Sequence, residues 1–214
     1  KLHVLHITTE EELGLFEAGH SRITAEACVH HLWFEDQSYT TLGSLIKCNP
    51  AIKKESDRDA IRGAVNDGRI SILATDHAPH TWEEKQGTYF NAPSGLPLIQ
   101  HTLLLMLEMC EQNCFSPELI AERACHAPAQ LFQVEERGYL REGYWADMVV
   151  VDPTGKTQVK DSQLFSKCGW SPFSQMTFTN SIETTIVSGK IAYHQGALNL
   201  DCRGLRAEFS KERR

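Results

Sequence analysis

The sequence predicts an α/β fold in which a parallel sheet is followed by a smaller β module. Over the first 76 residues, apolar runs alternate with helical periodicity, which is the pattern of parallel strand–helix units. Histidine or aspartate follows each apolar run, and α/β barrels place their active sites at the carboxyl ends of such strands. Beyond about residue 133, short apolar alternations separated by glycine indicate an all-β module.

Three strands and two helices are predicted in the alternating region. The strands are short apolar runs bounded by polar residues, at 2–7, 23–29 and 70–75. Thr8 or Thr9 can cap a first helix that ends near Gly19, because three glutamates fall in its first turn. A second helix is predicted over 57–66, where apolar residues recur four apart and Gly68 follows.

The region between the last of these strands and the β module is predicted to contain a loop and two helices. Residues 81–96 are rich in glycine, proline and polar residues and indicate a mobile loop, and the aromatic stretch 30–50 indicates a functional loop. An amphipathic helix is predicted over 97–111. A further helix begins with Ser116 as its cap and Pro117 as its first residue.

These elements divide the chain into three parts. Residues 1–133 form the α/β part, residues 134–202 the small β module and residues 203–214 a charged, solvated tail. The strands expected in the module are its apolar alternations, at 148–151, 184–187 and 191–193.

Composition excludes several classes of function. The 214 residues carry 21 Lys and Arg against 28 Asp and Glu, a net charge of −7, which disfavours nucleic acid as a partner. No apolar run approaches the roughly 18 residues that span a membrane. Seven cysteines without a Cys-x-x-Cys pair argue against a disulfide framework and for reduced thiols in a cytoplasmic protein.

The chain begins with Lys1 immediately before an apolar strand pattern and without an initiator methionine. A natural N-terminus seldom starts directly in a buried strand. We therefore expect the chain to be one piece of a larger protein.

The most chemically specific sequence follows the third predicted strand. Asp76, His77 and His80 lie within five residues, on a turn shortened by Ala78 and Pro79. A carboxylate beside imidazoles suits metal binding or proton transfer. The alternative is that the aspartate caps a turn and the histidines are incidental.

Other strand ends carry weaker candidates. On the first strand His6 is nearer the end than His3, and it is the better candidate to face a barrel mouth, although a structural role is equally open. His30 and His31 follow the second strand among aromatic residues, which also suits packing. Asn49 precedes a proline, where its amide could contact a polar substrate or form an Asx turn.

Several of these motifs together resemble dihydroorotase, a member of the cyclic amidohydrolase family, and specifically its C-terminal portion. The resemblance is carried by Leu2–Thr9, Glu26–Leu32, Asn49–Lys53, Asp76–His80, Gly143–Asp152 and Phe178–Tyr193. It implies the last strands and helices of a metal-dependent-hydrolase TIM barrel, followed by part of a small β-sandwich module.

The resemblance also implies roles for individual residues. His6 is similar to a metal ligand of the family, and Asp76 to its metal-linked carboxylate and general acid/base. The substrate contacts implied are those of the ring and carboxylate, from Asn49, His80, Pro93, Ser94 and Gly95. Three further histidines, His30, His31 and His77, are candidates to support the metal site from outside the ligand set.

The reaction implied is the reversible hydrolysis of dihydroorotate to N-carbamoyl-L-aspartate in de novo pyrimidine biosynthesis. In it a metal-activated hydroxide attacks the ring amide, and Asp76 passes the proton to the leaving nitrogen. The implied cofactor is zinc, one or two ions per complete site, and the partner is a small-molecule substrate; a homo-oligomer is left open. The family's His-x-His pair is absent from this sequence, so we expect the isolated chain to be inactive.

Two alternatives remain open at this stage. The parent could be another cyclic amidohydrolase, such as an allantoinase or a hydantoinase. It could also be a non-catalytic dihydroorotase homologue that acts as a scaffold. A His-x-His-x-Arg sequence upstream would favour an enzyme, and apolar residues there would favour the scaffold.

Overall fold

A computed structural model describes residues 1–19 and 22–210. Its strands, in chain order, are β1 (Leu2–Val4), β2 (Ile23–Cys28), β3 (Ile72–Ala74), β4 (Met148–Asp152), β5 (Thr157–Gln158), β6 (Thr177–Phe178), β7 (Ser181–Val187), β8 (Lys190–His194) and β9 (Ala197–Leu198). Its α-helices are α1 (Val29–Trp33), α2 (Tyr39–Leu42), α3 (Glu55–Asp67), α4 (Trp82–Lys85), α5 (Thr102–Glu111), α6 (Pro117–Ala121) and α7 (Ala127–Leu131).

The three N-terminal strands form a parallel sheet in the order β1-β2-β3, as the alternation predicted. Each strand is shorter than its apolar run, because the chain leaves the sheet before the polar residues that follow. The expectation of a buried first strand is wrong for Leu2 and Leu5, which are more than half exposed. β1 lies at an edge of the described sheet and has a neighbour on one side only.

The first predicted helix is wrong in type and length. The structure has a 3₁₀ turn at Glu11–Leu15 in place of an α-helix to Gly19. The Glu12 carboxylate turns back and accepts hydrogen bonds from the backbone N–H groups of Thr8 and Thr9 and from the Thr9 hydroxyl. These bonds close a tight local turn instead of supporting a longer helix.

Both predicted loops contain helices. Residues 30–50 include α1, α2 and two 3₁₀ turns, Asp36–Ser38 and Gly43–Ile46, because Leu32 and Ile46 are drawn into the core. Residues 81–96 contain α4, which begins with a capping box between Thr81 and Glu84. Both stretches thus contain short helices that were not predicted, and the functional role expected of 30–50 and the mobility expected of 81–96 stay predictions.

The remaining predicted helices are present. α3 ends at Asp67 and is followed by Gly68, whose φ of +90° is readily adopted by glycine. The helix predicted over 97–111 is a 3₁₀ turn, Ile99–His101, followed by α5. Ser116 caps α6 through the N–H of Leu119, and α6 continues through a π-helical turn, Glu122–His126, into α7.

The β module contains a four-stranded antiparallel sheet in the order β4-β7-β8-β9, and its three predicted strands are β4, β7 and β8. β5 and β6 form a separate pair that was not predicted. The stretch after β5 packs into the same hydrophobic cluster as α5, through Val159, Phe173 and Phe178. This cluster therefore joins residues on both sides of the boundary expected near 133.

The C-terminal tail is not entirely solvated. Val134 and Phe209 form an antiparallel bridge, and the N–H of Glu135 donates to the carbonyl of Glu208 at 2.9 Å. Residues 211–214 of the predicted tail lie outside the described residues. No helix in the described part of the chain is long and apolar enough to cross a membrane.

His101 is buried in this core beside Phe173 and Phe178, with the Ser171 hydroxyl 3.2 Å from its Nδ1. Burial lowers its pKa from the ordinary value of 6.5 to about 4. The neutral ring therefore contributes stability that is fully present above about pH 6.5 and is lost as the pH falls toward 4. We expect protonation of this group alone to lower the free energy of unfolding by roughly 3 kcal/mol between about pH 6.5 and pH 4.

The measurement is the free energy of unfolding as a function of pH for the native protein and for His101→Phe. We expect the variant, whose side chain suits the aromatic cluster, to lose less stability between pH 6.5 and 4. His194→Phe, at an exposed position on β8, is the control. Identical slopes for native protein and His101→Phe would show that His101 is not buried as a neutral ring.

Candidate active site

Two strand ends of the parallel sheet carry residues in the left-handed backbone region. His6 follows β1 with φ of +42°, and Asp76 follows β3 with φ of +48°. Non-glycine residues seldom adopt this conformation, and such strain of roughly 1–3 kcal/mol is concentrated at functional sites. Because the strands are parallel, both residues lie at the same edge of the sheet, His6 partly buried and Asp76 exposed.

The end of β2, between them, carries a buried group of possible metal ligands. The donor atoms of Cys28, His30 and His31 all lie within 4.8 Å of one another. Within residues 1–19 and 22–210, no other group of three or more such side chains meets this distance, and His6 and Asp76 stand outside it. Their roles as metal ligands therefore stay predictions.

Electrostatic effects connect the strand ends with this group. Burial lowers the pKa of His30 well below its ordinary range, and the charges of His31 and His6 lower it further. Burial also raises the pKa of the Cys28 thiol, with contributions from the charges of Glu26 and Asp76. His6 and Asp76 are thus close enough to the buried group to influence its titration.

The buried group fits a metal ion by the chemistry of its free atoms. Both ring nitrogens of His30 and the Nδ1 of His31 are buried without a hydrogen-bond partner. The Nε2–H of His31 donates to the carbonyl of Pro50 at 2.9 Å, which leaves a lone pair on its Nδ1. Neutral imidazole and thiolate are ligands that zinc accepts, so the residues present suit such an ion.

The segment around Asn49 borders this group. The Cys48 thiol donates to the same Pro50 carbonyl at 3.1 Å and lies 3.6 Å from the Nε2 of His31. Asn49 lies between Cys48 and Pro50 in the chain. Its side chain is exposed, and a cis peptide bond joins Asn49 to Pro50. The structure thus places Asn49 next to the histidines that follow β2.

The other predicted substrate contacts come together in one loop. The Nε2–H of His80 donates to the carbonyl of Ser94 at 3.0 Å. The N–H of Gly95 donates to the carbonyl of Lys47 at 2.9 Å, which joins the loop to the segment of Asn49. Gly95 has φ of +137°, and a Cβ there would overlap the carbonyl oxygen of Ala78.

His77 lies apart from these residues. Its Nδ1 accepts hydrogen bonds from the N–H groups of Leu98 at 2.9 Å and Ile99 at 3.2 Å. The ring therefore contacts the turn that precedes α5 and supports that turn. A role for His77 beside the metal site is not favoured by this position.

Sequence reasoning missed three side chains of this region. Cys28 and Cys48 stand in apolar runs that look like ordinary core, and Lys85 stands in a charged stretch that looks solvated. Lys85 is instead fully buried, with 0% of its surface exposed. The Thr81–Glu84 capping box was the one available signal, since it indicates a helix whose next residue can turn inward.

A parallel sheet with histidine, cysteine and aspartate at its carboxyl edge is typical of α/β enzymes whose active sites lie at the carboxyl ends of the strands. The model of the "Amidohydrolase family" matches residues 3–192, and the chain belongs to this family. The expected resemblance to dihydroorotases is also confirmed, by several curated proteins of that name.

A dihydroorotase from Halobacterium salinarum is 35% identical over 172 residues, which are 80% of this chain and 40% of that protein. One from Clostridium acetobutylicum is 33% identical over 197 residues, 90% of this chain and 46% of that protein. Among solved structures, an L-hydantoinase from Arthrobacter aurescens is similar with a TM-score of 0.88 and 24% identity, over 94% of this chain and 46% of that one.

In all three comparisons the chain spans less than half the length of the other protein. At 24% identity, the likeness to the hydantoinase shows the fold alone.

Proposed function

We propose that this chain supplies the C-terminal part of a dihydroorotase active site. The observation that carries the proposal is the carboxyl edge of the parallel sheet. There, His6 and Asp76 hold left-handed conformations on either side of a buried Cys–His–His group with unpartnered nitrogens. The similarity of sequence to dihydroorotases supports this substrate over other cyclic amides.

In this proposal Asp76 is the general acid/base. It is exposed at the strand end, so its carboxylate is open to a substrate and to water. The carboxylate accepts the proton of the attacking water and transfers it to the ring nitrogen as the amide bond breaks. The reverse sequence closes N-carbamoyl-L-aspartate to dihydroorotate.

The loop residues bind and orient the substrate. Asn49, His80, Pro93, Ser94 and Gly95 lie on two segments joined by the hydrogen bond from Gly95 to Lys47, so they approach one ligand from two sides. Because the chain as a whole has a net charge of −7, attraction for the anionic substrate has to be local.

Zinc is the proposed cofactor, and when bound it polarises the scissile carbonyl and lowers the pKa of water. His6 and Asp76 are the proposed ligands, and His30 and His31 border them. A catalytic zinc site needs about three protein ligands, and the family's His-x-His pair is not in this sequence. We therefore propose that this chain holds only part of the ligand set of a cytoplasmic enzyme of pyrimidine biosynthesis.

The test is turnover of dihydroorotate, hydantoin and allantoin, with metal analysis, by the complete protein and by the 214-residue chain alone. We expect the complete protein to hydrolyse dihydroorotate with the highest kcat/KM. We expect the chain alone to show no turnover and to retain little zinc. Preference for another substrate would favour a different cyclic amidohydrolase, and inactivity of the zinc-loaded complete protein would favour the scaffold.

A further inference from the structure

Lys85, the last residue of α4, is a fully buried cation at the base of the substrate loop. Its ammonium donates to three backbone carbonyls, those of Lys47 at 3.3 Å, Pro93 at 2.9 Å and Gly95 at 3.0 Å. An ammonium group has three N–H donors, so these bonds occupy all of them.

No carboxylate of the described residues lies within ion-pair distance of this ammonium; the nearby Glu84 carboxylate accepts from the Thr81 N–H and lies 3.8 Å from His80. A buried cation without a counter-ion is costly unless hydrogen bonds replace its hydration. The Trp170 ring, 5.7 Å away, adds a cation–π contact. The lysine is thus held by carbonyl oxygens and an aromatic face.

The three carbonyls belong to two segments that are far apart in sequence. Lys47 is two residues before Asn49, and Pro93 and Gly95 are themselves proposed substrate contacts. The indole N–H of Trp170 also donates to the carbonyl of His80 at 2.7 Å. A single ammonium group therefore joins the backbone of two proposed substrate contacts, Pro93 and Gly95, to the segment that leads to Asn49.

We propose that Lys85 is a positioning residue, whose charged ammonium holds the 93–95 loop against the 47–49 segment and so sets the geometry of substrate binding. This inference rests on the proposed function. A neutral amine has only two N–H donors, so deprotonation releases one carbonyl and loosens the loop.

The surroundings of Lys85 bring the deprotonation of its ammonium group into a pH range in which the protein can be studied. Its pKa is lowered to about 8, mainly by burial; the charge of Cys48 opposes this shift and the charge of Lys47 adds to it. Lys47 itself donates to the carbonyls of Tyr89 and Ala92, so it supports the same loop from the other side. Substrate affinity should accordingly fall as the pH rises through about 8.

The first experiment compares Lys85→Met with the matched control Lys156→Met, an exposed lysine before β5, in the complete protein. Methionine keeps the long apolar stem and removes the three donors. We expect faster amide hydrogen exchange in 89–96 for Lys85→Met only, with KM for dihydroorotate raised about tenfold and kcat changed less than about threefold. The rise of KM above pH 8 should also disappear.

The outcomes separate this inference from the proposed function. Unchanged exchange in 89–96 would overturn the inference whether or not the protein hydrolyses dihydroorotate. Faster exchange with an unchanged KM in an active protein would overturn the link to substrate binding. Faster exchange in a protein inactive toward dihydroorotate would leave Lys85 as the support of the loop and reject the proposed substrate.

A second measurement needs no variant and serves if Lys85→Met does not fold. Exchange in 89–96 of the unmodified protein, corrected for the intrinsic rate, is followed from about pH 7 to about pH 9.5. We expect protection there to decrease with pH while protection in β7 and β8 stays constant. Constant protection in 89–96 would overturn the proposal.

Discussion

Gly95→Ala is expected to destabilise the protein by about 3 kcal/mol or more and to abolish substrate binding. Its φ of +137° is a conformation that side chains rarely adopt. A Cβ would also overlap the carbonyl oxygen of Ala78 and lie 2.8 Å from its Cβ. Relief requires the loop to move away from Ala78, and this movement is expected to break the contacts through which Lys85 holds the loop.

The measurement is the free energy of unfolding from denaturant titration, together with KM for dihydroorotate. Gly143→Ala is the matched control, since Gly143 has φ of +84° but a Cβ there would meet no other atom within 4 Å. Backbone strain alone should lower the free energy of unfolding of Gly143→Ala by about 1 kcal/mol. Equal losses for the two variants would show that the close approach to Ala78 is not maintained in solution.

Asp76→Asn is expected to lower kcat for dihydroorotate in the complete protein by about 10³-fold or more and to leave stability almost unchanged. The amide cannot accept the proton that the proposed mechanism assigns to this side chain. Asparagine tolerates the left-handed backbone that Asp76 adopts, with φ of +48°, so the fold has no reason to respond.

The measurement is kcat with thermal unfolding as the check on folding. Asp67→Asn, which removes only the exposed pair with Arg69, controls for the loss of one surface carboxylate. Activity of Asp76→Asn within about tenfold of the native protein would reject the assignment of Asp76 as general acid/base.

The strands and helices that could be predicted from sequence are those with a strong local signal. α3 has apolar residues four apart and a glycine directly after it, and β4, β7 and β8 carry β-branched or aromatic residues in short stretches bounded by glycine or polar residues. The short helices α1 and α2 could not be predicted, because one turn of helix leaves no periodicity to detect, whereas α4 was missed although its capping box was available. Their positions depend on tertiary packing, such as the burial of Leu32 in α1.

The residues of the candidate site likewise divide into those with a local sequence signal and those without one. Asp76, His6 and His80 were predicted because polar residues directly follow apolar strands, a signal within a few residues of sequence. The contacts of Lys85 had no signal beyond the Thr81–Glu84 capping box, since its partners Lys47 and Gly95 are 38 and 10 residues away and are contacted through backbone atoms. Every residue type has the same backbone carbonyl oxygen, so no sequence motif could indicate these partners.

The left-handed backbone at His6 and Asp76 places folding and turnover in competition at these two positions. Glycine or asparagine would fit the same conformations with less strain, so a library sorted only for folded protein should accept them freely. A library sorted for turnover should reject them. The pair thus marks positions where tolerance to substitution depends entirely on which property is selected.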